Sequence, residues 1–120
     1  MKILIVDDST AMRMIVKKTL RLAGFERHDI TEADDGAKAL ATIKTSKPDL
    51  VLSDWNMPNM TGLQLLETLT SEGVKLTFGF ITTETTPDMR AKAFGAGAKF
   101  LISKPFTPES FKEHLGPHIR

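Results

Sequence analysis

The 120 residues contain no cysteine, so disulfides, thiolate metal sites and cysteine nucleophiles are excluded. Tyrosine is also absent, and tryptophan occurs once. The three histidines, His28, His114 and His118, stand apart from the acidic motifs and are expected at the surface. Charge of one sign is not in excess: 16 basic residues face 15 acidic ones, for a formal net charge of +1. Bulk charge therefore gives no argument for a nucleic-acid or membrane partner. No apolar run approaches the roughly 18 residues of a membrane span. The opening "MKILIVDDS" turns acidic too soon for a signal peptide. The expected address is the cytoplasm, without membrane insertion. A glycine-rich phosphate loop is missing too. Gly95-Ala96-Gly97 has no third glycine and precedes a strand-like run where a dinucleotide fingerprint would follow one.

What is present is alternation. The composition, 41% hydrophobic and 26% charged, fits one ordinary globular domain over residues 1–120. "KILIV" (2–6) reads as a strand buried on both faces. Met12, Ile15, Val16, Thr19, Leu22 and Ala23 then recur at helical spacing, and Gly24 stops them. A weak strand at 30–33 and a helix at 37–43 follow, closed by Pro48. "DLVLSD" (49–54) is a second strong strand, followed by a leucine-rich helix from Leu63 to Leu69. "LTFGFIT" (76–82) is the next strand. A helix at 87–94 carries Thr86 as N-cap and Pro87 at its first position. "KFLIS" (99–103) is the last strand, and Thr107-Pro108-Glu109 opens a final helix with Phe111 and Leu115. Five β-α repeats imply an α/β fold: a five-stranded parallel sheet, doubly wound with helices on both faces. No linker or low-complexity segment is visible, so no separate effector domain is expected.

In such sheets ligands bind outside the carboxyl ends of the strands. The first strand delivers Asp7 and Asp8 there, the third Asp54, the fourth Thr82 and Thr83, and the fifth Lys104, followed by Pro105. Singly, each has a bland reading: Asp8 or Ser9 as a helix cap, the threonines as β-formers, Lys104 as a surface charge. Together they make a site of carboxylates and hydroxyls with one cation. An all-oxygen site suits Mg²⁺, which takes few carboxylates and also binds phosphate. The metal would also offset the repulsion between the aspartates. The chemistry indicated is phosphoryl transfer onto a carboxylate.

"LIVDDS", "EADDGAKAL", "PDLVLSDWNMPNMTGLQLL", "ITTE" and "KPFTP", in this order and at these strand ends, resemble the response-regulator receiver domains. The resemblance is strongest to stand-alone chemotaxis response regulators with a flavodoxin-like (βα)5 fold. It implies the following roles. Asp54 accepts a phosphoryl group from a phosphohistidine on a histidine kinase. Asp8 binds Mg²⁺, Asp7 assists, and Asp54 and the backbone carbonyl of Asn56 complete the ligands. Thr82 hydrogen-bonds the phosphoryl group, and Lys104 pairs with one of its oxygens through a cis Lys104-Pro105 peptide. Asn56, Thr83 and Glu84 modulate dephosphorylation. The chain is expected to be a monomer that signals by binding a downstream protein through the Pro87–Phe111 face.

Two rivals stand beside this reading. An aspartyl-phosphate phosphatase of the haloacid-dehalogenase type needs an aspartate two residues after the nucleophile, where this chain has Asn56. A phosphorelay intermediate, or another single-domain regulator that does not bind the flagellar motor, is the second. Motor-binding relatives usually carry an aromatic residue, often tyrosine, three residues before the lysine, and here that switch position is Leu101. The neighbouring Phe100 should point to the opposite face of the sheet. Gly62 is expected to serve backbone conformation.

Overall fold

The computed structural model describes residues 1–83 and 86–119. Strands β1 (Lys2–Val6), β2 (Asp29–Ala33), β3 (Leu50–Ser53), β4 (Thr77–Thr82) and β5 (Phe100–Ser103) alternate with helices α1 (Thr10–Leu22), α2 (Gly36–Ser46), α3 (Gly62–Ser71), α4 (Pro87–Gly95) and α5 (Pro108–Leu115). The strands form one sheet in the order β2-β1-β3-β4-β5, and every pairing is parallel. The chain leaves β1 toward β2 and returns past it to β3. That reversal puts the topological switch point between β1 and β3, as in flavodoxin-like sheets. No helix among the described residues is long and apolar enough to cross a membrane.

Local chemistry starts each helix. The side chains of Ser9, Asp35, Thr61, Thr86 and Thr107 each accept a hydrogen bond from a backbone N–H of the first turn. Each cap satisfies one of the donors a helix start leaves over. Thr61 and Gln64, and likewise Thr107 and Ser110, bond reciprocally. The helix expected at 37–43 extends to Ser46 because Lys47, at φ 50°, ends it in the left-handed region. Its last turn, Lys44-Thr45-Ser46, is polar and carries no periodic signal. β2 has only Ala33 buried, as suits the edge of the sheet.

Both faces of the sheet are covered. Leu4, Val6, Val51, Phe78, Phe80 and Leu101 pack with residues of α2, α3 and α4. Ile3, Ile5, Leu52, Ile81, Phe100 and Ile102 pack with α1 and α5. Phe100 and Leu101 thus point to opposite faces, as alternation requires. α4 has the least hold on this core, with Ala93 its one buried residue. The histidines are not the plain surface residues expected. His118 is half-buried with its ring 5.6 Å from that of Phe100, and Nδ1 of half-buried His114 lies 2.8 Å from the Ser110 carbonyl.

Candidate functional site

Three residues that follow strand ends are held by the sheet's own hydrogen bonds. The amide of Asp7 donates to the Ala33 carbonyl, that of Asp54 to Val6, and that of Lys104 to Thr82. The parallel ladder therefore runs one residue past each strand and fixes where these side chains begin. Asp7 is buried, Asp54 half-buried and Asp8 exposed. One carboxylate oxygen from each of the three falls within 4.8 Å of the others. Lys104 Nζ lies 3.5 Å from Asp7 Oδ2 and 3.6 Å from Asp54 Oδ1. The Lys104-Pro105 peptide is cis.

Each carboxylate is oriented separately. Asp7 Oδ1 accepts the Ser9 amide at 2.9 Å, which turns Oδ2 toward Lys104. Arg13 donates from its guanidinium to the Asp7 carbonyl while its Nε pairs with Glu32. Asp54 Oδ1 accepts the Trp55 amide at 2.8 Å. Burial pushes the Asp54 carboxyl above the ordinary aspartate range. Lys104 opposes that rise, Asp7 adds to it, the Trp55 amide opposes it, and Asp8 adds to it. Three acidic oxygens around one lysine leave negative charge in excess, and the donors are all hard oxygens. This donor set fits a small divalent cation such as Mg²⁺.

The other expected residues fall around this cluster. Thr82 is buried at the end of β4, on the same sheet face as Phe80 and Leu101. Leu101 is 5% exposed and pairs in register with Phe80. Thr83 is exposed just beyond the strand, and Asn56 is exposed in the loop after Asp54. Glu84 lies outside the described residues. Trp55 covers the core, its ring 4.8 Å from that of Phe80. Met57 is buried beneath the same loop. Gly62 has no unusual backbone angle to justify it, which corrects the expectation. A Cβ there would lie 2.2 Å from the Asp54 carbonyl oxygen. The sequence reading missed Arg13, Asp35 and Asn59. Asp35 immediately before a helical run was a recognisable N-cap signal.

The geometry is that of an acidic pocket at the carboxyl edge of a parallel sheet, beside a single lysine. A model of the response regulator receiver domain matches residues 3–116. The chain belongs to the response regulator receiver family. Receiver domains are the signalling domains of two-component phosphotransfer, served by a histidine kinase and acting on a downstream target. The chain is similar to chemotaxis protein CheY-3 of Vibrio cholerae, 45% identical over 117 residues, which cover 96% of this chain and 88% of that protein. It is 42% identical over 117 residues to chemotaxis protein CheY of Pseudomonas aeruginosa, covering 96% and 93%. Among solved structures, Vibrio cholerae chemotaxis protein CheY4 superposes with a TM-score of 0.86 at 33% identity, covering 98% of both chains.

Proposed function

We propose that this receiver takes a phosphoryl group onto Asp54 from a kinase phosphohistidine, and that it serves chemotaxis signalling in the cytoplasm. The observation that carries the reading is Asp54 itself. Its carboxylate stands among Asp7, Asp8 and Lys104, with Oδ1 engaged by the Trp55 amide. An Asp54 oxygen attacks phosphorus. The bond from phosphorus to the imidazole nitrogen breaks, and that nitrogen keeps the electron pair. Mg²⁺ held by Asp7, Asp8, Asp54 and the Asn56 carbonyl would neutralise charge on the transferring group. Lys104 pairs with a phosphoryl oxygen, and Thr82 donates its hydroxyl to another. An in-line water then attacks phosphorus, releasing phosphate and restoring the Asp54 carboxylate. Both steps act on the protein's own Asp54, as suits a signalling domain.

Acetyl phosphate with Mg²⁺ should add one phosphoryl group by intact mass. Asp54→Asn should abolish the addition, and Asp8→Ala should remove both Mg²⁺ dependence and labelling. Undiminished labelling of Asp54→Asn would overturn the assignment.

The downstream protein is proposed to dock on the Pro87–Phe111 face. α4 is weakly anchored there and exposes Phe94, whose ring lies under the Arg90 guanidinium at 5.7 Å. Leu101 has neither ring nor hydroxyl to present. A flagellar-motor peptide should therefore bind weakly, or not at all, to the fluoroberyllate-bound protein. Tight binding that depends on fluoroberyllate would make this an ordinary motor regulator.

A further inference from the structure

The segment from the end of β2 to the start of α2 supplies none of the proposed ligands, yet it bonds to both segments that do. Where β2 ends, the Ala33 carbonyl accepts the Asp7 amide at 3.1 Å, extending the sheet ladder. At the other, Asp35 is 8% exposed and uses its two oxygens for different tasks. Oδ1 caps α2 by accepting the Lys38 amide at 2.7 Å. Oδ2 accepts Asn59 Nδ2 at 3.1 Å, across 24 residues of sequence. A carboxylate only accepts, so the Asn59 amide must present its nitrogen here.

Asn59 lies in the loop that contains Asn56, and it holds a φ of 68°. Asparagine tolerates that conformation better than most residues. The next residue, Met60, rests on the start of α2. A Cβ at Gly36 would lie 2.5 Å from the Met60 carbonyl oxygen and 2.8 Å from its Cβ. The loop is closed behind by the Gly62 amide on the Trp55 carbonyl at 2.9 Å. Its far side is therefore held from outside by Asp35 and Gly36, and exposed Asn56 sits between these anchors.

We propose that the Asp35–Asn59 hydrogen bond is a positioning device that sets the Asn56 carbonyl against Asp7 and Asp8, and thereby the site's affinity for Mg²⁺. This rests on the metal-dependent reading above. Neither residue is among the proposed ligands. The β2–α2 segment acts as a strut that keeps the two ligand-bearing segments at a fixed separation.

A swap of the two side chains tests it. In Asp35→Asn, one side chain cannot serve both the Lys38 amide and Asn59 Nδ2 as acceptor, so one of the two bonds is lost. In the double variant Asp35→Asn/Asn59→Asp, the asparagine oxygen caps α2 and its nitrogen donates to the new carboxylate. Asn59→Gly tolerates the backbone angle and removes the bond, while also loosening the loop's backbone; the double variant separates the two effects. Mg²⁺ is titrated into metal-free protein while amide resonances of the Asp7–Ser9 and Trp55–Met60 segments are followed by NMR. Thermal melting in EDTA accompanies each titration. Asp35→Asn and Asn59→Gly should each weaken Mg²⁺ about tenfold, the low end for groups that hold a metal's ligands in place. The double variant should recover affinity toward wild type. Labelling by acetyl phosphate should be slow in the single variants at low Mg²⁺ and normal at saturating Mg²⁺. Wild-type affinity in both single variants, or a double variant no better than Asp35→Asn, would overturn the strut. Wild-type protein that shows no saturable response to Mg²⁺ would overturn the metal reading itself, and the strut with it.

Discussion

The α-carbon of Gly62 faces the main-chain carbonyl of Asp54 so closely that a methyl group would sit 2.2 Å from that oxygen. The Ser53 hydroxyl donates to the same oxygen at 2.8 Å. α3 therefore begins directly against the backbone of Asp54, the proposed phosphoacceptor. Gly62→Ala must push the two apart. It should cost about 1–3 kcal/mol, the usual range for overpacking a filled site. The measurement is urea unfolding followed by circular dichroism, together with the rate of acetyl phosphate labelling. A variant with wild-type stability and wild-type labelling would show that the contact relaxes freely.

Acidity should act on stability in two opposite directions. The Asp54 carboxyl is held high, chiefly by burial, so the native state keeps its proton to higher pH than the unfolded chain. Without metal, this makes stability fall as pH rises from the ordinary aspartate range through the raised value, and level off above it. Glu32 is held low, first by its hydrogen bond from Lys17 and also by Arg13. Its contribution is present above the ordinary glutamate range and is lost as pH falls through the lowered value. Asp54→Asn should erase the first slope and melt higher than wild type in EDTA at neutral pH. Glu32→Gln should erase the second and cost about 0.5 kcal/mol, as for exposed ion pairs. A pH series of thermal melts in EDTA on the three proteins reads both. A lower melting point for Asp54→Asn would contradict the first claim.

Most of this architecture was legible in the sequence. The strong strands are short apolar runs, and the residues that follow them are the ones the sheet brings together. Asp7, Asp8, Asp54, Thr82 and Lys104 could be placed because parallel strands share one carboxyl edge. Asp35 and Asn59 could not be paired, since their contact joins two loops and depends on a left-handed residue. Gly62 was assigned to the wrong cause for a related reason: close approach between segments leaves no periodic mark. Arg13 fell on the polar side of α1, and nothing local pointed its guanidinium at the Asp7 carbonyl.

On the opposite sheet face, Gly79 and Phe100 are register partners, and the Phe100 ring covers the missing side chain. A Cβ at Gly79 would meet ring atoms at 2.0–2.4 Å. Gly79→Ala should destabilise the fold by about 1–3 kcal/mol through overpacking. Adding Phe100→Leu should restore part of the loss caused by the alanine, which a double-mutant cycle isolates. Purely additive effects would show that the ring moves aside without cost.

Thr83 is exposed just beyond β4. The proposed role of its side chain in modulating dephosphorylation predicts that Thr83→Ala hydrolyses the acyl phosphate faster. About threefold would correspond to only ~0.6 kcal/mol of barrier. Single-turnover decay of phosphorylated protein, followed by phosphate release, gives the rate. Equal rates in the two proteins would remove that role.

The amides of Asp7, Asp54 and Lys104 are locked onto the carbonyls of Ala33, Val6 and Thr82, one step beyond the regular strands. Strand ends normally fray and exchange their hydrogens early. Here the fraying would have to carry the acidic cluster with it, so these amides should exchange with deuterium nearly as slowly as those of the core strands. The acidic site then belongs to the last part of the molecule to open. If these amides exchange that slowly, the proposed switching must leave this backbone in place, and α4, with Ala93 as its one buried residue, is the element least tied to it.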